Sequence, residues 1–384
     1  MRGRGVRPPP DPAFVLRGHD TILHAIAFCR SDGGLLAAAG DDGLVRVWDL
    51  ETRRPALEFA ASPGAVLTVK SLRDTRLLTQ GKDGVYRVWD LSRPGIGGCE
   101  EGAPSPSSSV CAELSSDLHS FCKCTLVPWT RDGSLHEGVE SEVIAVPHGS
   151  YDVGLWDIRT PQVQTVLSLG AQGVGVADGG GLRSSSSSGM LTALAAHAGH
   201  GLGGLSGPLV MGGYEDGLVR VWDVRSSRVL LRHPVNADAV FAVCAACTRQ
   251  HLVVASGGVG GSVCISHLSV DTAEGAEDVG AGARSGWGLG MREAASFKFK
   301  RSGQQKEGVN QIAARADSKI IAAACWDGLV RVFALKNPRP LAALKCHTKG
   351  VQSVAFSADS RWLASASDDT RIALWSIFQD DQHA

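Results

Sequence analysis

His19, Asp42 and Ser365 have the side-chain types of acyl-transfer chemistry, in which a serine attacks, a histidine takes its proton and a carboxylate orients the histidine. Cys122-Lys-Cys124 and Cys244-Ala-Ala-Cys247 have the close thiol spacing that metal sites use. The run Gly173–Gly181 offers backbone amides of the kind that cradle phosphate, and Lys298, Lys300, Arg301 and Lys306 form a basic cluster that an acidic partner or an import receptor could read. Each has a plainer explanation. Both cysteine pairs fall in strand-like runs and lack the second clear pair of a four-ligand site, so buried free thiols account for them. The glycine run joins no strand to a helix start and reads as a flexible loop. The basic cluster reads first as a solvated outer strand.

His19, Asp42 and Ser365 belong to a repeat, which explains them without catalysis. One phrase recurs: Asp42-Gly-Leu-Val-Arg-Val-Trp48-Asp49, Asp83-Gly-Val-Tyr-Arg-Val-Trp89-Asp90, Asp216-Gly-Leu-Val-Arg-Val-Trp222-Asp223 and Asp327-Gly-Leu-Val-Arg-Val-Phe333. Weaker copies end at Trp156, Ser266 and Trp375, making seven. The seven terminal positions are separated by 41, 67, 66, 44, 67 and 42 residues. Three gaps hold one repeat of roughly 40 to 45 residues, and three hold the same repeat with an insertion. Each copy reads as an Asp-Gly turn feeding a β-branched strand. Two short strands precede the clearest copies, as in Val351–Phe356 and Trp362–Ser367. Evenly spaced short strands with a Trp-Asp signature specify four-stranded blades arranged radially, and no segment sustains a helical period.

The expectation is an all-β, seven-bladed propeller over residues 13–378, between tails 1–12 and 379–384, closed by Phe14-Val15-Leu16 as the outer strand of the last blade. The long gaps contain low-complexity runs at about 93–109, 170–189 and 271–292, which read as disordered inter-blade insertions because they have little apolar surface to offset their ordering entropy.

The 384 residues carry 38 Lys plus Arg against 39 Asp plus Glu, so no global basic field invites direct contact with nucleic acid or a membrane surface. Ten scattered cysteines lack the pattern of a secreted disulfide framework, and no leader or spanning segment is read. Protein partners in a reducing compartment are the expectation, with no cofactor and no catalysis.

The repeat resembles the WD40 family, which implies an internal hydrogen-bond relay. Its members here are His347, Ser365, Asp369 and Trp375 in blade seven, His19, Asp42 and Trp48 in blade one, and the pairs Asp83 with Trp89 and Asp216 with Trp222 in blades two and four. In blade six Asp327 remains while Phe333 replaces the tryptophan, and in blade one Ala38 stands where the hydroxyl belongs. Arg159 and Arg225, each two residues beyond a Trp-Asp pair, resemble the motif by which some WD40 proteins dock on the cullin-4 ubiquitin-ligase adaptor; the simpler reading is an exposed arginine at a strand end. Pro8–Gly18, Gly213–Gly217 and the run from Lys319 to Ser376 resemble the guanine nucleotide-binding protein subunit beta-like protein 1 and ASTRA-associated protein 1 family. That resemblance implies a non-catalytic adaptor, cytoplasmic and nuclear, for the Tel2–Tti1–Tti2 co-chaperone assembly that matures phosphatidylinositol-3-kinase-related kinases. A substrate receptor of a cullin-4 ligase is the alternative. Pairing with a G-protein γ subunit is not expected, because only about a dozen Pro- and Arg-rich residues precede the first strand where true β subunits carry a long helix.

Overall fold

The structure, a computed structural model, describes residues 10–29, 33–73, 75–92, 110–116, 120–128, 142–160, 162–163, 165–168, 189–199, 207–248, 251–271, 288–299 and 307–377. Its 28 strands form seven four-stranded antiparallel sheets. Blade one is β2 (Leu23–Phe28), β3 (Leu35–Gly40), β4 (Leu44–Asp49) and β5 (Arg54–Ala60); blade two is β6 (Val66–Arg73), β7 (Arg76–Gly81), β8 (Val85–Asp90) and β9 (Val110–Ser115). Blade three is β10 (Thr125–Val127), β11 (Val143–His148), β12 (Asp152–Asp157) and β13 (Thr165–Leu167); blade four is β14 (Leu191–His197), β15 (Leu209–Tyr214), β16 (Leu218–Asp223) and β17 (Arg228–Pro234). Blade five is β18 (Val240–Cys247), β19 (Leu252–Gly258), β20 (Ser262–Asp271) and β21 (Gly288–Lys298); blade six is β22 (Val309–Ala314), β23 (Ile320–Cys325), β24 (Leu329–Ala334) and β25 (Arg339–Lys345). Blade seven takes β26 (Val351–Phe356), β27 (Trp362–Ser367) and β28 (Ile372–Ser376) from one end of the chain and β1 (Phe14–Leu16) from the other.

Closure follows the sequence expectation: Phe14, Val15 and Leu16 pair with Leu374, Ala373 and Ile372. Register settles the two blades whose sequence is weakest. Trp48, Trp89, Trp222, Phe333 and Trp375 lie opposite Leu36, Leu77, Val210, Ile321 and Leu363; Trp156 of blade three lies opposite Ile144, and Ser266 of blade five opposite Val254, in the same relation.

The core is divided among the blade junctions. Each sheet buries both faces, so alternate residues of one strand enter different clusters. Ala37 and Ala39 pack toward blade two, while Leu36 and Ala38 pack toward blade seven. The cluster of Leu16, Leu23, Trp48, Ala364 and Leu374 seals the joint between the last blade and the first. Small residues dominate β3 and β23 (Ala322, Ala323, Ala324), the second strands of blades one and six.

The third expected insertion is shorter than 271–292. Asp271 ends β20, and residues 288–292 open β21, which pairs with β20 from Ser262 opposite Lys298 to Asp271 opposite Gly288. The reason is an alternation hidden in a Gly-rich run: Leu289 and Met291 are buried against blades four and five. The expected insertions at 93–109 and, except for Gly189, 170–189 lie outside the described residues, as do residues 1–9 of the first tail, the last propeller residue 378 and the tail 379–384.

Candidate functional site

Asp42, Asp83, Asp216 and Asp327 do two things at once. Each accepts a bond from the backbone N–H two residues on, at 3.1, 3.1, 3.1 and 3.2 Å, which forms the turn. The glycine after each has φ of +74°, +80°, +79° and +82°, and a Cβ on Gly43 would lie 2.2 Å from the Ser62 carbonyl oxygen. In blade seven Thr370 holds the equivalent place at φ +67°, a strained conformation for a β-branched residue.

The same aspartates also pair with the arginine four residues on: Asp42 with Arg46 (2.8 Å), Asp83 with Arg87 (3.2 Å), Asp216 with Arg220 (2.6 Å) and Asp327 with Arg331 (2.6 Å). Arg220 lies over the Tyr214 ring at 3.8 Å, and Arg331 over Phe299 at 4.0 Å. Sequence reasoning did not assign these arginines a role. The signal was present, because a charged residue recurs at one fixed place in an otherwise apolar strand.

In blade seven the His347 Nδ1 lies 3.1 Å from both Asp369 carboxylate oxygens, and its Nε2 lies 2.7 Å from Ser365 Oγ. Asp369 also accepts bonds from the Thr348 and Arg371 N–H groups. Burial holds the imidazole below its ordinary pKa, against the pull of Asp369. Burial acts to raise the Asp369 pKa, but the Thr348 amide and His347 reverse it, so the carboxyl sits below its usual range. Trp375 departs from the expected relay. Its indole Nε1 is buried without a hydrogen-bond partner, and its ring meets His347 edge-on at 6.4 Å. Trp222 Nε1 is likewise unpartnered, whereas Trp89 Nε1 donates to Thr79 Oγ1 at 2.9 Å.

Blade one, lacking the hydroxyl, uses Arg46. Its Nη1 approaches His19 Nδ1 at 3.0 Å, and Trp48 Nε1 approaches His19 Nε2 at 3.3 Å. A neutral imidazole accepts at one nitrogen only, so one of these approaches is a packing contact and not a bond. Burial, then the Arg46 charge, lowers the His19 pKa to about 4.

Ser365, His347 and Asp369 have the connectivity of a serine nucleophile with its base and orienting acid, although the sequence grouping of Ser365 with His19 and Asp42 is not what the fold assembles. The serine is fully buried and His347 nearly so, so the hydroxyl presents no open face to a substrate. Neither cysteine pair converges: Cys122 and Cys124, just before β10, enter the core between blades three and four and that between two and three, and Cys244 and Cys247, three apart in β18, pack on its opposite faces.

The antiparallel order places the starts of the first and third strands of each blade, and the turn between its second and third strands, on one face, here the turn face, and the ends of the third strands on the opposite face. Four of the large apolar side chains exposed among the described residues share the turn face of blades three to five: Phe121 (75% exposed), Met190 (47%), Tyr151 (44%) and Val259 (40%). Half-buried Phe241 and Trp326, with ring centroids 6.2 Å apart, extend this arc to blade six. Arg159 and Arg225 emerge on the opposite face of adjacent blades. Arg159 is engaged within the chain, by Asp157 and by Glu142 at 3.0 Å. The Arg225 side chain covers Gly207 and its backbone N–H donates to Asp223.

The chain is a seven-bladed β-propeller that carries WD40 repeats. A family profile described as "WD domain, G-beta repeat" matches residues 10–49, 296–333 and 338–376. The β-propeller domain of Cps50 (Swd1) from Myceliophteria thermophila superposes with a TM-score of 0.67 at 16% identity, covering 96% of this chain and all of that one. Among curated proteins, the chain is similar to the mouse guanine nucleotide-binding protein subunit beta-like protein 1, 28% identical over 381 residues and 97% of each chain. It is also similar to ASTRA-associated protein 1 of Aspergillus niger, 27% identical over 91% of this chain and 82% of that one, and to that of Schizosaccharomyces pombe, 46% identical over 81 residues, 21% of each chain. A WD40 propeller with relatives so named supports a scaffold role in a protein complex.

Proposed function

We propose that this propeller is a non-catalytic adaptor whose partner is the Tel2–Tti1–Tti2 co-chaperone assembly, in the cytoplasm and the nucleus. The apolar arc of Phe121, Tyr151, Met190 and Val259 carries the adaptor reading, because clustered exposed aromatic and aliphatic side chains on one rim are what a protein interface buries. The partner's identity draws on the relatives named ASTRA-associated protein 1. The second reading, a cullin-4 ligase receptor, draws on Arg159 and Arg225 sharing the opposite face of neighbouring blades.

Because the two readings use opposite faces, one pull-down separates them. Phe121→Ser with Met190→Ser is compared with Arg159→Ala with Arg225→Ala, after thermal melts have shown equal folding. Co-chaperone capture lost from the first pair and kept by the second is expected. Capture of ligase adaptor that disappears with the arginines, with no co-chaperone on any form, overturns the leading assignment.

A further inference from the structure

The first strands of the seven blades enclose a central channel of about 1400 Å³, whose turn-face mouth takes in Phe121 and Met190 of the apolar arc. Most of its wall is apolar, including Ile26, Leu194, Ile312 and Val354. Two lysines enter it from adjacent blades: Lys70 from the middle of β6 and Lys123 from the residues leading into β10. Lys123 crosses the channel, and its Nζ donates to the His24 carbonyl at 2.6 Å and, more weakly, the Gln352 carbonyl at 3.5 Å. Those carbonyls lie at the turn-face ends of β2 and β26, in the two blades that flank the ring closure.

The Lys70 ammonium has no hydrogen-bond or ion-pair partner among the described residues. Its nearest titratable companions, besides Lys123, are the Cys124 and Cys244 thiols. Burial pushes these up to about 12 and about 11, so they are neutral at physiological pH and supply no negative charge. The two carboxylates of the described lining are committed at the turn-face mouth: Asp41 binds His24 at 2.6 Å, and Glu215 accepts the Met190 N–H at 3.1 Å. Burial disfavours both ammonium groups, and the charge of Lys70 further disfavours that of Lys123, which falls to about 8. Two ammonium groups held in one channel with no facing carboxylate are an unfavourable arrangement, and an ion of opposite charge between them relieves it.

We propose that the channel binds a compact oxyanion of the phosphate class between Lys70 and Lys123. Ammonium groups serve phosphate as point charges with several freely directed donors, and two from neighbouring blades suit one multiply charged, roughly spherical ion. The apolar wall strengthens the attraction by lowering the local dielectric. Lys123 lying across the channel favours a small ion over the side chain of a docked polypeptide, which has to displace its bonds to His24 and Gln352 to reach Lys70. Phe121 and Met190 of the apolar arc line the turn-face mouth of the same channel, but the adaptor reading does not involve Lys70, and Lys70→Met leaves the arc's side chains in place, so failure of one reading is distinguishable from failure of the other.

The test uses the purified full chain in chloride buffer at pH 7. Inorganic phosphate, pyrophosphate and sulfate are titrated at matched ionic strength, read by calorimetry and thermal melts. A ligand that binds only the folded state raises Tm with saturable concentration dependence. Expected is such a rise with phosphate or pyrophosphate beyond chloride, with affinity weakened about tenfold or more in Lys70→Met, the loss of one charged contact, and a chloride-like response when Lys123→Met is added. Sulfate sorts the ligand: a response equal to phosphate assigns a general oxyanion site, still held by these lysines. Lys70→Met removes no hydrogen bond, so its folding is secure and it decides the matter even if the double variant is unstable. No response beyond chloride in the wild type, or equal responses in wild type and Lys70→Met, overturns the proposal.

Discussion

In blade seven His347 is wedged between Ser365 and Asp369, while blade five has Asn236, Ser256 and Gly260 at the corresponding places and an Asn236 Nδ2 buried without a partner. Blade five has instead the longest hairpin, strands of 10 and 11 residues joined from Ser262–Lys298 to Asp271–Gly288, with Leu289 and Met291 turned into the core. Extra ladder bonds contribute about 0.5–1.5 kcal/mol net each, and burying an additional Leu or Met about 1.5–3 kcal/mol, enough to stand in for a polar relay. The blade is therefore a packing solution first, and the relay is one of several ways to tie its turn to its strands.

The largest test of that contrast is Trp375→Ala, which should cost about 3–5 kcal/mol in chemical denaturation, as large core truncations do. Ser266→Ala, at the same position in blade five, serves as its counterpart. Next, Asp369→Ala should cost about 1–3 kcal/mol by stranding His347, Thr348 and Arg371 donors; an unchanged denaturation midpoint defeats the relay.

Blade one supplies a pH version. The folded His19 pKa of about 4 lies below the unfolded value of about 6.5, so between them the unfolded chain binds the extra proton. Its contribution is complete above the unfolded value and is lost as pH falls toward 4. His19→Gln should flatten the slope of stability against pH in that window, and an unaltered slope refutes the shift. Smaller still is Trp375→Phe, about 1 kcal/mol, because the indole N–H it removes has no partner and Phe333 already fills that place in blade six; a loss as large as that of the alanine variant restores the indole to the relay. Smallest is Ser266→Ala, within about 0.5 kcal/mol. A cost similar to that of Asp369→Ala means that blade five has a relay of its own.

Much of this was legible in the residues. The recurring Asp-Gly turn, the seven terminal positions and Phe14–Leu16 as the closing strand follow from local propensity and a fixed period, and the described strands fall where that reading puts them. The aspartates of the Asp-Gly turns were legible for the same reason, since their turn and arginine bonds reach only two to four residues along the chain, whereas Asp369 bonds His347 across 22 residues. The boundary at Leu289 was missed because Gly-rich composition masks a period-two alternation, and Trp375 was over-read because a motif names a residue without naming its hydrogen-bond partner.

What the sequence determined by itself was thus the blade, its number and its closure, each a matter of short-range pattern. Only the tertiary structure decided which residues share the turn face, that Arg159 already binds Asp157 and Glu142, and that Lys123 reaches His24 and Gln352 across the ring. The physical reason is separation along the chain: Lys123 lies 99 residues from His24 and 229 from Gln352. No periodicity carries that information, and only completion of the ring brings such positions to a common axis.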